Sequence, residues 1–200
     1  MTTTLIDLLR HGEPVGGRRY RGQTDDPLSD KGWRQMRAAT AGERPWTALV
    51  SSPLLRCRAY AEELAGQTGL PLAFDDRLKE AGFGVWEGKT ADEIEAIDPG
   101  AVFDFKRDPV GCRPEGAEAL EGFYSRVSAA YEDILARHAG GHVLMVGHAG
   151  VIRMVMCRVL GLAPEHGYRI QVASAAIARL RIEGRQGMRH ETLLHLTPGP

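Results

Sequence analysis

Short apolar runs alternate along the chain with longer stretches in which apolar residues recur every three or four positions. Thr4-Leu5-Ile6-Asp7-Leu8-Leu9 reads as a buried strand, Ala48–Ser51 and His142–Gly147 read the same way, and Leu72–Phe74 reads as a short strand. Ser29 as an N-cap predicts a helix over Asp30 to Ala41. Ser52-Pro53, an N-cap followed by proline at the first helical position, predicts a helix to about Gly66. Residues 90–107 read as short helices broken at Asp98-Pro99-Gly100, Gly116 to His138 as one long helix, and Ala149 to Leu160 as another. Ala178 to Ile182 alternates with period two, as an exposed-edge strand does. A turn over Gly184 to Gly187 then leads into a last strand near His190 to Leu196, closing a hairpin. Strands alternating with helices predict a three-layer α/β fold, a mainly parallel sheet with helices on both faces and an antiparallel edge. Residues 1–200 fit one domain, with a helical insertion at about 82–116 that is placed to cap the crevice.

Composition narrows the function classes. A formal net charge of −1 gives no bias toward nucleic acid or an acidic membrane surface. Met1-Thr2-Thr3-Thr4 carries no basic segment ahead of a long apolar one, so no signal peptide is expected. The longest apolar-rich stretch, Val143 to Leu162, is interrupted by His148, Arg153 and Arg158, so no membrane span is expected either. Cys57, Cys112 and Cys157 are odd in number and lack CxxC spacing, which argues against a disulfide framework and a zinc site. A cytoplasmic location follows as the expectation.

The chemistry gathers at strand ends. Arg10 and His11 end the first strand, and Gly12 is read as freeing the backbone to turn. Arg56 lies in the first helical turn after the second strand, and His148 follows Val143–Gly147. In a parallel sheet these ends share one edge, where open α/β sheets hold ligands. Two arginines, two histidines and nearby helix N-termini make a phosphate cage. Glu80, after the third strand, supplies an acid, with Glu13 and Glu87 as competing carboxylates. The segment from Glu13 to Leu28 is long for a compact domain, which marks it as functional. Within it, Arg18-Arg19-Tyr20-Arg21 is either a solvated face or a gate for an anion. Trp86 reads as packing the insertion onto the body, with stacking on an aromatic substrate as the alternative, Tyr60 as a packing group, and His138, His142, His166, His190 and His195 as structural.

The ordered motifs resemble those of the histidine phosphatase superfamily, the phosphoglycerate mutase-like enzymes. Arg10-His11-Gly12-Glu13 is similar to its RHG signature, and Asp25-Asp26-Pro27-Leu28-Ser29-Asp30-Lys31-Gly32 to its D-x-P-L-(S/T)-x-x-G segment. Ser51 to Arg56, Leu78 to Gly88 and Val146 to Arg153 match the second arginine, L-x-E-x-x-F-G-x-W-E-G and second histidine motifs. Five motifs in order are far more specific than one triplet. The resemblance implies that His11 attacks phosphorus, that Arg10, Arg56 and His148 hold the phosphoryl oxygens, and that Glu80 moves the proton. It implies no cofactor and no metal. An asparagine common a few residues after the nucleophile is absent from Val15-Gly16-Gly17, and Arg21 is expected to take over that substrate contact.

A small phosphorylated metabolite is the implied partner, and a homodimer is compatible with the sequence. Mutases of the family usually carry a longer insertion after the acid, so the short chain favours hydrolysis. The R-H-G-E-P strand end and its Gly/Arg-rich loop look like α-ribazole 5′-phosphate phosphatases of cobalamin synthesis. Sugar phosphates, fructose bisphosphate and phosphohistidine proteins stay open as substrates. A phosphoglycerate mutase-type transferase and a phosphate-binding regulatory protein with weak turnover are the alternatives.

Overall fold

The structure, a computed structural model, describes residues 2–200. Met1, part of the segment read above for a leader, lies outside the described residues. Six strands form one sheet: β1 (Thr2–Arg10), β2 (Ala48–Ser51), β3 (Leu72–Phe74), β4 (His142–Gly147), β5 (Ile177–Arg185) and β6 (Met188–Leu196), in the order β3-β2-β4-β1-β5-β6. The first four run parallel, and β5 and β6 add an antiparallel side. Register sets the site. Arg10 lies opposite Gly147 and Ser51 opposite Val146, so His11, Ser52 and His148 leave the sheet at one level.

Helices cover both faces. On one, α1 (Asp30–Ala39) and α2 (Leu55–Thr68) pack Met36, Cys57, Tyr60 and Leu64 against Leu9, Leu49, Leu144 and Val146. On the other, α5 (Leu120–Arg137) and α6 (Ala149–Leu160) pack Phe123, Val127, Ile152 and Val155 against Ile6, Leu8, Val143 and Met145. Burial on both sides explains why β4 is apolar without alternation. The two short helices of the middle segment, α3 (Ala91–Glu95) and α4 (Ala101–Arg107), carry a small core of Trp86, Ile94, Val102 and Phe105. Thr90 and Glu93 form a capping box that starts α3. Among the described residues no helix is long and apolar enough to cross a membrane.

Several local expectations are corrected. The strand read as an exposed edge is β5, which lies between β1 and β6; β6 is the edge. Alternation in β5 reflects half-burial of one face and not a free hydrogen-bonding edge. The hairpin turn is narrower than expected, with Gln186 and Gly187 both at positive φ. The N-cap signal at Ser52-Pro53 lies a turn too early. α2 starts at Leu55, whose N–H donates to Asp25 Oδ1 at 2.5 Å, so a carboxylate thirty residues upstream provides the cap. α5 starts at Leu120, because Ala117 bridges to Phe83 before the helix can begin. Gly12 is not at positive φ; a Cβ there would meet the Gly32 carbonyl oxygen at 2.3 Å, so close backbone approach requires this glycine. Ser29, as expected, caps α1 by accepting from the Gly32 N–H at 3.0 Å.

One charge sits inside the sheet. Asp7 is fully buried and accepts from Arg179 Nε at 2.7 Å, Arg179 Nη2 at 2.8 Å and Trp46 Nε1 at 2.8 Å. His142 Nε2 lies 3.1 Å away. Burial works against the carboxylate, but these donors together hold its pKa below the usual range.

Candidate active site

His11 is the first residue past β1 and is nearly buried. Its Nδ1 lies 2.7 Å from the Gly12 carbonyl oxygen. A carbonyl only accepts, so Nδ1 carries the proton and the Nε2 lone pair is left available. Burial, with the charges of Arg56 and Arg10 next, pushes the imidazolium well below the usual histidine range. The imidazole is therefore neutral at pH 7, in one tautomer. His148, the N-cap of α6, is fully buried and meets His11 edge-on, ring centroids 5.2 Å apart. Its Nε2 shares a 2.8 Å hydrogen bond with Ser52 Oγ, which is the work that serine does in place of capping α2. Burial, reinforced by Arg56, likewise keeps His148 neutral. Cys57 lies 3.6 Å from His148 Nε2, and burial pushes its thiol up to about 12, so it packs as a neutral group.

Two guanidinium groups flank the imidazoles. Arg10 donates Nη1–H to the Val172 carbonyl at 2.7 Å. Burial lowers its pKa to about 10, which leaves it charged at neutral pH. Arg56 is fully buried and donates to the carbonyls of Thr24 at 2.7 Å and Gly22 at 3.0 Å. Among the described residues, Arg10 Nε and Arg56 Nε are buried without a hydrogen-bond partner. Two unpaired buried cationic donors beside a neutral imidazole are the chemistry of an anion site.

Glu80 is pinned at the first turn of α6. Its Oε2 accepts from Gly150 N at 2.9 Å, in the first turn of α6, and Oε1 from Ala81 N at 3.0 Å. A Cβ on Gly150 would lie 2.1 Å from Glu80 Oε1, so only glycine lets the helix end approach the carboxylate. Gln23 Nε2 and Arg126 Nη2 donate to the Glu80 carbonyl at 2.7 and 3.2 Å and fix its backbone.

Two residues have partners that the sequence does not indicate. Arg21 lies near His11 and adds to the charge that lowers its pKa. Its guanidinium, however, donates to Asp26 Oδ2, Val15 O and Gly17 O at 2.5, 2.5 and 2.6 Å. It braces the loop. Glu87, considered above only as a rival acid, collects the N–H groups of Gly22, Gln23, Thr24 and Phe83 at 2.8–3.1 Å and the Thr24 hydroxyl at 2.6 Å. The strand of loop over residues 22–24 is thus held through its N–H groups by Glu87 and through its carbonyls by Arg56. The one sequence signal was Glu87's place in the W-E-G motif. Trp86 packs with Tyr20 at 5.1 Å and Phe105 at 5.4 Å. Tyr60 is a buried packing residue whose hydroxyl bonds to Thr40 and the Met36 carbonyl.

Comparison with known proteins identifies the family. The profile of the histidine phosphatase superfamily (branch 1) matches residues 6–192. The chain is 34% identical over 195 residues to the bifunctional protein Rv2228c of Mycobacterium tuberculosis, covering 94% of this chain and 53% of that one. It thus spans about half the length of that relative. It is also 34% identical over 180 residues to a probable phosphoglycerate mutase GpmB of Escherichia coli, covering 88% and 83% of the two chains. Among solved structures, mycobacterial glucosyl-3-phosphoglycerate phosphatase Rv2419c superposes with a TM-score of 0.85 at 28% identity, covering 96% and 97%. A putative α-ribazole-5′-P phosphatase of Escherichia coli shares the fold (TM-score 0.79, covering 95% and 94%), at 23% identity. With the motifs, the sheet and the matched profile in agreement, the chain belongs to the histidine phosphatase superfamily.

Proposed function

We propose that the protein is a metal-independent phosphomonoester hydrolase that works through a phosphohistidine on His11. The observation that carries this reading is the fixed, neutral His11 tautomer beside two buried guanidinium groups with unpaired Nε donors. The Nε2 lone pair of His11 forms a bond to phosphorus as the ester P–O bond breaks. Glu80 delivers its proton to the departing alkoxide. Arg10, Arg56 and His148 stabilise the charge on the three non-bridging oxygens, which is where phosphoryl transfer needs it. Water then attacks the phosphohistidine, Glu80 takes the proton back, the P–N bond breaks and inorganic phosphate leaves. Arg21 acts as a brace of the loop and a source of positive potential. Residues 82–116 act as a cap, with Trp86 and Phe105 packed on Tyr20 of the loop.

The substrate is a small phosphorylated metabolite, and a cytoplasmic setting fits the three free cysteines. α-Ribazole 5′-phosphate is the finer candidate from the strand-end motif. The named activity of the GpmB relative supports a second reading, phosphoryl transfer between phosphoglycerates. Phosphate release from an aryl phosphate, α-ribazole 5′-phosphate and 3-phosphoglycerate, with chelator present, tests both. Hydrolysis is expected in all buffers, and His11→Ala is expected to reduce it by at least about a thousand-fold. Wild-type protein quenched in alkali should carry one phosphoryl group on His11. Turnover that survives His11→Ala would sink the reading, and transfer outpacing hydrolysis would favour the mutase.

A further inference from the structure

α6 carries a further cation close to Arg10. Arg153 donates Nε–H to the Ile170 carbonyl at 2.9 Å, two residues before the Val172 carbonyl that holds Arg10. The two guanidinium groups are therefore moored on carbonyls two residues apart on one stretch of chain. Tyr168 lies under Arg153, 5.5 Å from ring centroid to guanidinium carbon, and Tyr168 is itself packed on Phe105 at 4.9 Å. The plane of Arg153 is thus fixed on both its Nε edge and its face. Its two terminal nitrogens make no hydrogen bond or ion pair among the described residues. Arg158, farther along the same helix, is paired with Glu132.

Position on the helix says which part of a substrate Arg153 meets. Gly150, whose N–H holds Glu80, lies three residues earlier and so on the same face of α6. Helical side chains lean toward the N-terminus, so Arg153 covers the turn that carries Gly150. That is the Glu80 side of the crevice, where the leaving group departs. Arg153 is also the neighbouring charge that most strongly disfavours protonated Arg10, with Arg18 adding to it. Crowded like charges of this kind are stabilised when an anion lies between them.

We propose that Arg153, backed by Tyr168, is a second anion subsite, and that the substrate is a phosphomonoester whose leaving group bears a second anionic group. The planar fork of an arginine pairs with a carboxylate or a phosphate alike. This assignment rests on the hydrolase reading above for which side the leaving group occupies.

Calorimetric binding in the His11→Ala background tests it, since phosphoryl transfer cannot consume the ligand there. The ligands are 3-phosphoglycerate, fructose 1,6-bisphosphate and glycerol 3-phosphate. At least one of the two dianionic-group ligands is expected to bind roughly 10- to 100-fold tighter than glycerol 3-phosphate. The tighter of the two identifies the second group as carboxylate or phosphate. Adding Arg153→Met should erase the preference, and Arg153→Lys should restore part of it. Arg185→Met, at the exposed hairpin end, removes the same charge elsewhere and should leave the preference in place. Equal affinities for all three ligands, no binding by any, or a preference that survives Arg153→Met would overturn the subsite. Aryl phosphate turnover by the wild type is scored separately: its absence would sink the hydrolase reading without altering the binding ratios.

Discussion

The two halves of the crevice are built by different means. His11, Arg10 and His148 stand at the ends of β1 and β4, and the strand register alone brings them level. Arg56, Arg21 and residues 22–24 form the other half. There the backbone runs through a loop and is held by side chains thirty to sixty-five residues away in sequence. The sheet half is held by strand pairing on both sides of β4 and β1, with His11 and His148 buried at the strand ends. The loop half is only as rigid as its two clamps, Glu87 and Arg56. The proposed phosphate cage draws on both halves, so it needs the second to be organised as firmly as the first.

Replacing the side chains that join the halves gives the largest expected effects. Gly150→Ala would push a methyl group into Glu80 Oε1 and displace the acid while leaving His11 and both arginines in position. Proton donation by a placed side chain is worth about a hundred- to ten-thousand-fold. We expect losses near that range for an alkyl phosphate, whose alkoxide needs the proton. For p-nitrophenyl phosphate, whose leaving group departs without one, the loss should be smaller by at least about ten-fold. Equal losses on the two esters would mean that the methyl group disturbs the cage and not the acid.

Glu87→Gln tests the loop half. The charged carboxylate accepts from three successive loop N–H groups, and charge-assisted bonds contribute about 1.5–3 kcal/mol each when intact. Loss of the charge should loosen residues 22–24 and, through their carbonyls, Arg56. About a ten- to hundred-fold fall in affinity for inorganic phosphate is expected, with the fold retained. A double-mutant cycle with Arg56→Met distinguishes this from a separate effect. If Glu87 acts through Arg56, the two losses are strongly non-additive. Simple addition would break the clamp.

The same contrast explains what was legible in the sequence. The strands, the Ser29 cap, the helix after His148 and the level placement of His11 and His148 all follow from local pattern and sheet topology. The Arg21 contact, the Ser52 cap and the role of Glu87 do not. The last two depend on partners brought close only by folding: Asp25 reaches the start of α2, His148 reaches Ser52, and Glu87 reaches Gly22. Local signals at Ser52-Pro53 were real, but a distant carboxylate supplied the cap more strongly. The resemblance suggests Arg21 as a stand-in for the missing asparagine, whereas the nearby carbonyls of Val15 and Gly17 and the Asp26 carboxylate take three of its donors.

A smaller effect is expected on stability. Arg179 pairs with the fully buried Asp7 while keeping about a third of its own side chain exposed, at 32%. Breaking a fully buried pair costs about 3–5 kcal/mol. Partial exposure of Arg179 and the remaining Trp46 bond should hold the cost of Arg179→Met to about 2–3 kcal/mol, read by denaturant unfolding. No change in activity per folded molecule should accompany it, since Asp7 lies in the sheet behind the strand ends.

The subtlest test couples the halves through one proton. In the proposed mechanism His11 must be neutral to attack, and its burial beside Arg56 and Arg10 depresses its pKa well below the usual histidine value of 6.5. Protonation then costs activity only when the pH falls far below that value. The acid limb of kcat/KM, which reports the free enzyme, is expected well under pH 6.5 in the wild type. Arg56 is the largest charge behind the depression, and it is the loop half that holds Arg56 in place. If Glu87→Gln lets Arg56 withdraw, part of that repulsion disappears and the His11 pKa rises toward 6.5. The acid limb should move to higher pH by about half a unit to one unit, equivalent to about 0.7–1.4 kcal/mol. A lowered plateau with an unmoved limb would mean that Arg56 keeps its place without Glu87, and the loop half would then be rigid for a reason other than its clamp.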